Sequence, residues 1–160
     1  MPDWTIRSAT CKDIAAVLEL WHAAGAHPAV GSHREGLGRL LSSDAEALLL
    51  AEAPAAEAAA SQGAAAAGAA ARERRLVGSL IAVWDGWRGS FYRLAVHPEH
   101  RREGLGTALV REGERRLRAH QAERFTAIVA DEDAGAREFW AAAGYRRQPD
   151  RERFVRELSR

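Results

Sequence analysis

Arg101-Arg102-Glu103-Gly104-Leu105-Gly106-Thr107 is the stretch of this chain whose residue types and spacing suit chemistry. Two glycines one residue apart follow two arginines, and a helix pattern begins directly behind them. The first N–H groups of a helix have no partner inside it, so they point outward as donors. The helix dipole adds partial positive charge at the same end. Glycine removes the side chains that would hold an anion away, and arginine adds charge-assisted hydrogen bonds. Together these make a cradle for phosphate. The plainer alternative is a strand-to-helix turn with a glycine-rich cap. Against it, two arginines at a helix N-terminus oppose the dipole unless an anion belongs there.

Two familiar phosphate loops do not fit. A P-loop requires Lys and Ser/Thr after its second glycine, where this chain has Thr107-Ala108. A dinucleotide fingerprint requires a third glycine, where this chain has Leu109.

The elements that must position the cradle are legible around it. Leu94, Ala95 and Val96 end a strand expected over Ser90 to Val96. A helix expected from Gly104 to about His120 carries Leu105, Leu109, Gly113 and Leu117 on one stripe. Its arginine–glutamate interleaving, as in Glu114-Arg115-Arg116, reads as a solvated face. Upstream, Trp4 to Arg7 alternates as a strand. Thr10 and Asp13 then open a helix with Ile14, Val17, Leu18 and Trp21 on one side. A short helix around Leu37 to Ser43 and strands at Ala47 to Ala51 and Leu76 to Trp84 follow. Asp85-Gly86 is a turn signal. Strands are expected at Phe125 to Ala130, Tyr145 to Arg147 and Phe154 to Leu158, with a helix over Gly135 to Ala143. This order predicts an α/β domain with a mixed sheet.

Composition narrows the function. A chain of 160 residues suits one domain with a sizeable core. Its formal net charge is +1, and charges of both signs are interleaved, which argues against nucleic-acid binding. No apolar run approaches the roughly 20 residues of a membrane span. The N-terminus shows no basic region followed by an apolar stretch, so a cytoplasmic protein is expected. A single cysteine, Cys11, excludes an intrachain disulfide and a cysteine zinc site. His22, His27 and His33 lack carboxylates at ligand spacing, so no metal is expected. Between Ala51 and Ala71, fourteen of twenty-one residues are alanine. With no large apolar residue to dock it, 51–74 is expected to be an insertion between strands and not a functional element.

The run from Leu94 to Gly106 resembles the L-A-V-x-P strand end and Arg/Gln-x-x-Gly-x-Gly/Ala loop of the GCN5-related N-acetyltransferases (GNAT). A second stretch, Asp133 to Tyr145, is similar to that family's Asn-x-x-Ala-x-x-Phe-Tyr-x-x-x-Gly-Phe signature through Ala136, Phe139 and Gly144. The resemblance covers nearly the whole chain. It implies a mostly antiparallel central sheet flanked by helices, its fourth and fifth strands splayed by a bulge in the strand carrying Leu94 to Val96. It also implies direct acetyl transfer from acetyl-CoA to the amine of a small molecule or peptide. No metal, nucleic acid or membrane is implied, and a homodimer is common in this fold.

Residue by residue, the resemblance implies that the backbone of Ala95 and Val96 holds pantetheine and the thioester carbonyl, with Leu94 also among the cofactor-binding positions. Arg101, Arg102, Glu103, Gly104, Leu105, Gly106 and Thr107 form the pyrophosphate loop. Asp133, Phe139 and Trp140 stand at further cofactor-contact positions, where packing alone would also account for Phe139 and Trp140. Three departures matter. Asp133 replaces an asparagine, and its carboxylate would repel phosphate. Trp140 replaces a tyrosine that protonates the leaving thiolate, and indole is no usable acid. Ser90 replaces a glutamate base. Tyr92 and His97 are the nearby groups able to handle a proton, His97 having an ordinary pKa of about 6.5. The acceptor site is implied between His22–Arg34 and Arg146–Arg153. The arginines of the second wall suit either a carboxylate-bearing acceptor or plain solubility. A catalytically silent acetyl-CoA-binding module is the rival expectation.

Overall fold

The computed structural model describes residues 3–25, 33–55, 73–156 and 158. His27 and most of the alanine-rich stretch lie outside the described residues. The chain falls into two compact units, Met1–Ala127 and Ile128–Arg160.

The first unit is built on a sheet of order β1-β2-β3-β4-β5. Its strands are β1 (Thr5–Ser8), β2 (Leu48–Pro54), β3 (Arg74–Trp84), β4 (Gly89–Val96) and β5 (Phe125–Ala127). The first four pair antiparallel, and β4–β5 is parallel. Its helices are α1 (Ile14–Ala23), preceded by a 3-10 turn at Cys11–Asp13, α2 (His33–Ser43) and α3 (Leu105–Ala119). The second unit holds α4 (Ala134–Ala142).

Leu48 to Ala51 are all buried, as a strand covered on both faces must be. Alternation sends Leu48 and Leu50 to the layer of Ile14, Val17, Trp21, Leu37 and Leu41 from α1 and α2. The opposite face receives α3 through Leu105, Leu109, Val110 and Leu117. Gly113 lets that helix approach closely. A Cβ there would lie 2.8 Å from the Phe91 ring and 3.0 Å from Leu80. Position 113 must therefore be glycine for α3 to sit where it does.

Several expectations are corrected. No strand forms at 145–147, 154–156 or 158. Phe154, Val155 and Leu158 are 89%, 70% and 83% exposed, so this segment has no buried face to repay strand pairing. The fifth strand ends at Ala127, short of Ala130. Ala51 to Pro54 and Arg74 belong to strands, so β2 and β3 take in both ends of the 51–74 stretch that composition suggested as the insertion. Arg116 does not lie on a solvated face. It is buried, donating to the Ala82 carbonyl at 2.9 Å and to both oxygens of Asp44. It ties α3 to β3 and to the turn before β2.

Arg7 closes the sheet edge. Its guanidinium binds Asp13 through two nitrogens, at 2.8 and 2.9 Å, and also binds Glu52. The hydrogen bonds from Arg7 hold the Asp13 carboxyl well below the usual carboxylate range. A depressed carboxylate contributes stability above its unfolded pKa of about 3.9, and that contribution is lost as pH falls toward the folded value. Asp13→Asn should therefore lower stability at pH 7 by about 1 kcal/mol, since Arg7 is partly exposed. In urea unfolding, its difference from wild type should narrow progressively below about pH 4; a difference independent of pH would contradict this assignment.

Candidate functional site

Strand β4 contains one residue too many for regular pairing. Tyr92 lies opposite Ile81 and Ala95 opposite Ser79, so Arg93 and Leu94 together face Leu80 alone. The surplus is absorbed at Arg93, whose φ is +52°. Side chains rarely adopt that conformation, and a bulge is a common place for it. A buried relay holds it there. The Trp21 indole donates to the Ser79 hydroxyl at 2.9 Å, and Ser79 donates to the Arg93 carbonyl at 3.3 Å. Ser79 is fully buried.

The bulge decides which backbone groups face outward. Before it, the Gly89 N–H points toward β5 and bonds Arg124. After it, the His97 N–H bonds Val77 on the β3 side. Successive residues of a strand point their backbone groups to alternate edges. Ala95 therefore belongs to the β3 ladder, whereas Leu94 and Val96 present theirs to the other edge. The last β4–β5 pair is Phe91–Ala127. From Tyr92 onward that edge has no β5 partner, which is the splay that the family resemblance implies. Among the described residues Leu94 thus offers an open N–H and carbonyl and Val96 an open N–H, much as an edge strand does, the Val96 carbonyl accepting from Arg101.

The strand runs from there into the glycine-rich loop. His97 leads a 3-10 turn at Pro98–His100. Arg102 at φ +65° and Gly104 at φ +82° then bend the chain into α3. The helical ladder starts with Ala108 donating to Gly104 at 3.0 Å, so the amides of Leu105, Gly106 and Thr107 precede it. A Cβ on Gly104 would meet nothing within 4 Å, so the space beside Gly104 itself is open. Beside them a groove of about 600 Å³ runs between Thr107 and Arg111 of α3 and Trp4 and Ile6.

The sequence-predicted residues divide. Leu94, Val96 and the loop 101–107 come together on one continuous stretch of backbone. Arg101 is fixed within it, donating to Val96 at 3.2 Å and to Ala24 at the end of α1 at 2.8 Å. It braces the loop against β4 and α1. Arg102 and Glu103 are exposed, and Glu103 lies 3.4 Å from His100. Tyr92, on the strand just before the bulge, is 42% exposed.

His97 is engaged by its own turn. Its Nε2 lies 2.9 Å from the Arg75 guanidinium, and its Nδ1 faces the Glu99 amide. Burial, and then the Arg75 charge, push its pKa below the usual imidazole value. A neutral imidazole has one lone pair, and the Arg75 guanidinium and the Glu99 amide both stand where a donor would fill it. Ser90 shares a hydrogen bond with Thr126 at 3.1 Å. Asp85 is a turn residue, accepting from the amides of Trp87 and Arg88.

Asp133, Phe139 and Trp140 belong to the second unit. Asp133 caps α4, its carboxylate accepting from the Ala136 amide at 2.8 Å. Trp140 is buried, edge-on to both Phe139 and Tyr145. Among the described residues there is no group of three His, Cys, Asp or Glu placed to hold a metal. Sequence reasoning missed Arg93, Ser79 and Trp21 as the parts that make the bulge. Trp21 read as core, and nothing about a serine in an apolar strand marks its partner.

The family description "Acetyltransferase (GNAT) family" matches residues 34–145. An acetyltransferase of Yersinia enterocolitica is 27% identical over 76% of this chain and 72% of its own length. An acetyltransferase of Photorhabdus laumondii is 38% identical over 36% of this chain, and the match spans only 41% of that relative. Among solved structures, the Ard1 protein of Thermoplasma volcanium superposes with a TM-score of 0.68 at 17% identity, over 89% of this chain and 82% of that one.

Ser79→Ala tests the relay that holds the bulge. It leaves the Trp21 indole and the Arg93 carbonyl without their shared partner, which should cost about 1–3 kcal/mol in urea unfolding. A loss below about 0.5 kcal/mol, ordinary for a neutral surface change, would show that the relay does not hold the bulge.

Proposed function

This chain belongs to the acetyltransferase (GNAT) family, and from that membership we propose that it moves an acetyl group from acetyl-CoA to a primary amine by direct transfer. The observation that carries the proposal is the continuity of two features. An open β4 edge at Leu94 and Val96 leads directly into a helix start with open space beside Gly104. The edge suits the amide-bearing pantetheine arm, and the helix start suits the pyrophosphate.

Acetyl-CoA would supply the activated acetyl group. The Val96 N–H would hold the pantetheine arm, and the Leu94 N–H would stabilise the thioester oxygen, where negative charge develops as the amine attacks. The amides of Leu105, Gly106 and Thr107 hold the pyrophosphate, with Arg102 at the rim. The amine nitrogen forms its bond to the carbonyl carbon as the carbon–sulfur bond breaks. The amine loses a proton, and the thiolate gains one. Tyr92 is the exposed group on β4 suited to give that proton; His97, tied to Arg75, serves the turn. Neither Ser90 nor Trp140 can act as acid or base. This favours deprotonation of the amine by solvent, and it also keeps the silent acetyl-CoA-binding module as the second reading. Both readings take residues 1–160 as one N-acetyltransferase domain interrupted between β2 and β3. They suit a cytoplasmic protein with no membrane or nucleic-acid partner, and they leave the step unchanged in a homodimer. Among the described residues no helix is long and apolar enough to cross a membrane.

Gly104 offers the test. Gly104→Ala adds only the strain of a positive φ, about 1–2 kcal/mol, and should retain cofactor binding. Gly104→Glu adds a carboxylate before the donors and should weaken acetyl-CoA binding by about tenfold or more. Thiol release over a panel of amines then separates the readings. Release supports transfer, binding without release supports the silent module, and equal binding by wild type and Gly104→Glu overturns the cradle.

A further inference from the structure

Thr107, Arg111 and Arg115 stand four residues apart on α3, so they form one stripe along a single helix face. The stripe begins at the donors of the glycine-rich loop and leads away from them. It walls one side of the groove of about 600 Å³ beside that loop, with Trp4 and Ile6 on the other side. Ile6 pairs with Ala51, which lies on the same side of the sheet as Leu105 and Leu109 of α3. Alternation puts Trp4 there as well. Since α3 packs on β2, β3 and β4, the groove is the strip along β1 that the helix leaves uncovered. Its near end is Gly104 and Thr107, so it opens directly from the proposed pyrophosphate cradle.

The charges of the groove are unequally spent. Arg115 binds Glu112 at 2.9 Å, and the Glu103 carboxylate faces His100 at 3.4 Å. Arg111 is exposed and has no hydrogen bond or ion pair among the described residues. A long side chain on a helix leans toward the helix N-terminus, so the Arg111 guanidinium is carried back toward Thr107. One turn, about 6 Å, separates the two residues. The half-buried Trp4 indole, with Ile6, supplies apolar and aromatic surface opposite. Anion donors at one end, an uncommitted guanidinium one turn on and an aromatic wall suit a heterocycle carried beside two phosphates.

We infer that this groove receives the 3′-phosphoadenosine end of CoA, and that Arg111 pairs with the 3′-phosphate. The inference rests on the cofactor placement proposed above. One ribose separates the pyrophosphate from the 3′-phosphate. An anion held by the amides of Leu105 to Thr107 therefore brings its second anion to the turn of Arg111, with Trp4 as the surface for adenine. The consequence is donor selection. An acyl group carried on phosphopantetheine alone ends at a single phosphate and leaves Arg111 and the groove unused, whereas a CoA thioester engages both.

The test is calorimetric binding of CoA against 3′-dephospho-CoA, which differs only in the phosphate assigned to Arg111. Wild type should bind CoA more tightly by about tenfold or more. Arg111→Gln should weaken CoA to the level of dephospho-CoA and leave dephospho-CoA where it was. Arg115→Gln, which removes a cation already paired with Glu112, should keep the preference. In parallel, adenosine 3′,5′-bisphosphate should shift the Trp4 indole N–H signal in NMR, identified by its loss in Trp4→Phe. Equal binding of CoA and dephospho-CoA by wild type overturns the inference while the cradle stands, and that comparison needs no variant. A preference that survives Arg111→Gln, or that Arg115→Gln removes equally, overturns the assignment to Arg111. A Trp4 signal unmoved by the bisphosphate and by CoA overturns the groove. Failure to bind either form of CoA overturns the cofactor placement beneath the inference.

Discussion

One surplus residue in β4 organises the site. If β4 paired regularly with β3, alternation would keep one set of backbone groups facing β5 along its whole length. The extra residue at Arg93 shifts that alternation by one. Leu94 and Val96 then face the edge that β5 leaves uncovered after Ala127. A non-glycine residue at φ +52° is costly, so the surroundings must hold it. The Trp21–Ser79 relay does this from the opposite layer, at a position with no exposure to water. The two layers of the first unit are thereby joined at the point where the chemistry is proposed.

The loop after β4 inherits its position from the same strand. Arg101 reaches back to Val96 and across to Ala24, so the start of α3 is tied to both the open edge and α1. From the far side, Gly113 allows α3 to settle on Phe91 and Leu80, and Arg116 ties its last turns to Ala82 and Asp44. The donors at Leu105 to Thr107 thus stand at the end of a helix fixed along its length. A near-neutral chain still concentrates cations at this end, with Arg93, Arg101 and Arg102 close in sequence to the open backbone. Local placement, more than net charge, suits the site to an anionic ligand.

How much of this was legible in the sequence follows from how local each signal is. The glycine pair, the strand end before it and the stripe of Leu105, Leu109, Gly113 and Leu117 are short-range patterns, and each stands where it was read. The bulge as such was implied by the family resemblance. The residue that makes it was not, because arginine carries no preference for positive φ. Ser79 and Trp21 are 58 residues apart, and their bond exists only once α1 crosses β3. Arg101 and Arg116 looked like surface or anion-binding arginines, but Arg101 spends its donors on the Val96 and Ala24 carbonyls and Arg116 on the Ala82 carbonyl and the Asp44 carboxylate, all brought near by tertiary packing. The strands expected near the C-terminus failed for the converse reason. Apolar residues such as Phe154 and Val155 make a strand only where a partner edge covers them.

The most direct measurement is amide hydrogen exchange by NMR, residue by residue, with and without CoA. The structure puts the Ala95 N–H in the β3 ladder and those of Leu94 and Val96 on the open edge. Ala95 should exchange slowly in the free protein and change little. Leu94 and Val96 should exchange faster when free and slow markedly when CoA is bound. An Ala95 amide that exchanges freely until CoA protects it, with Leu94 and Val96 already protected, would contradict the account.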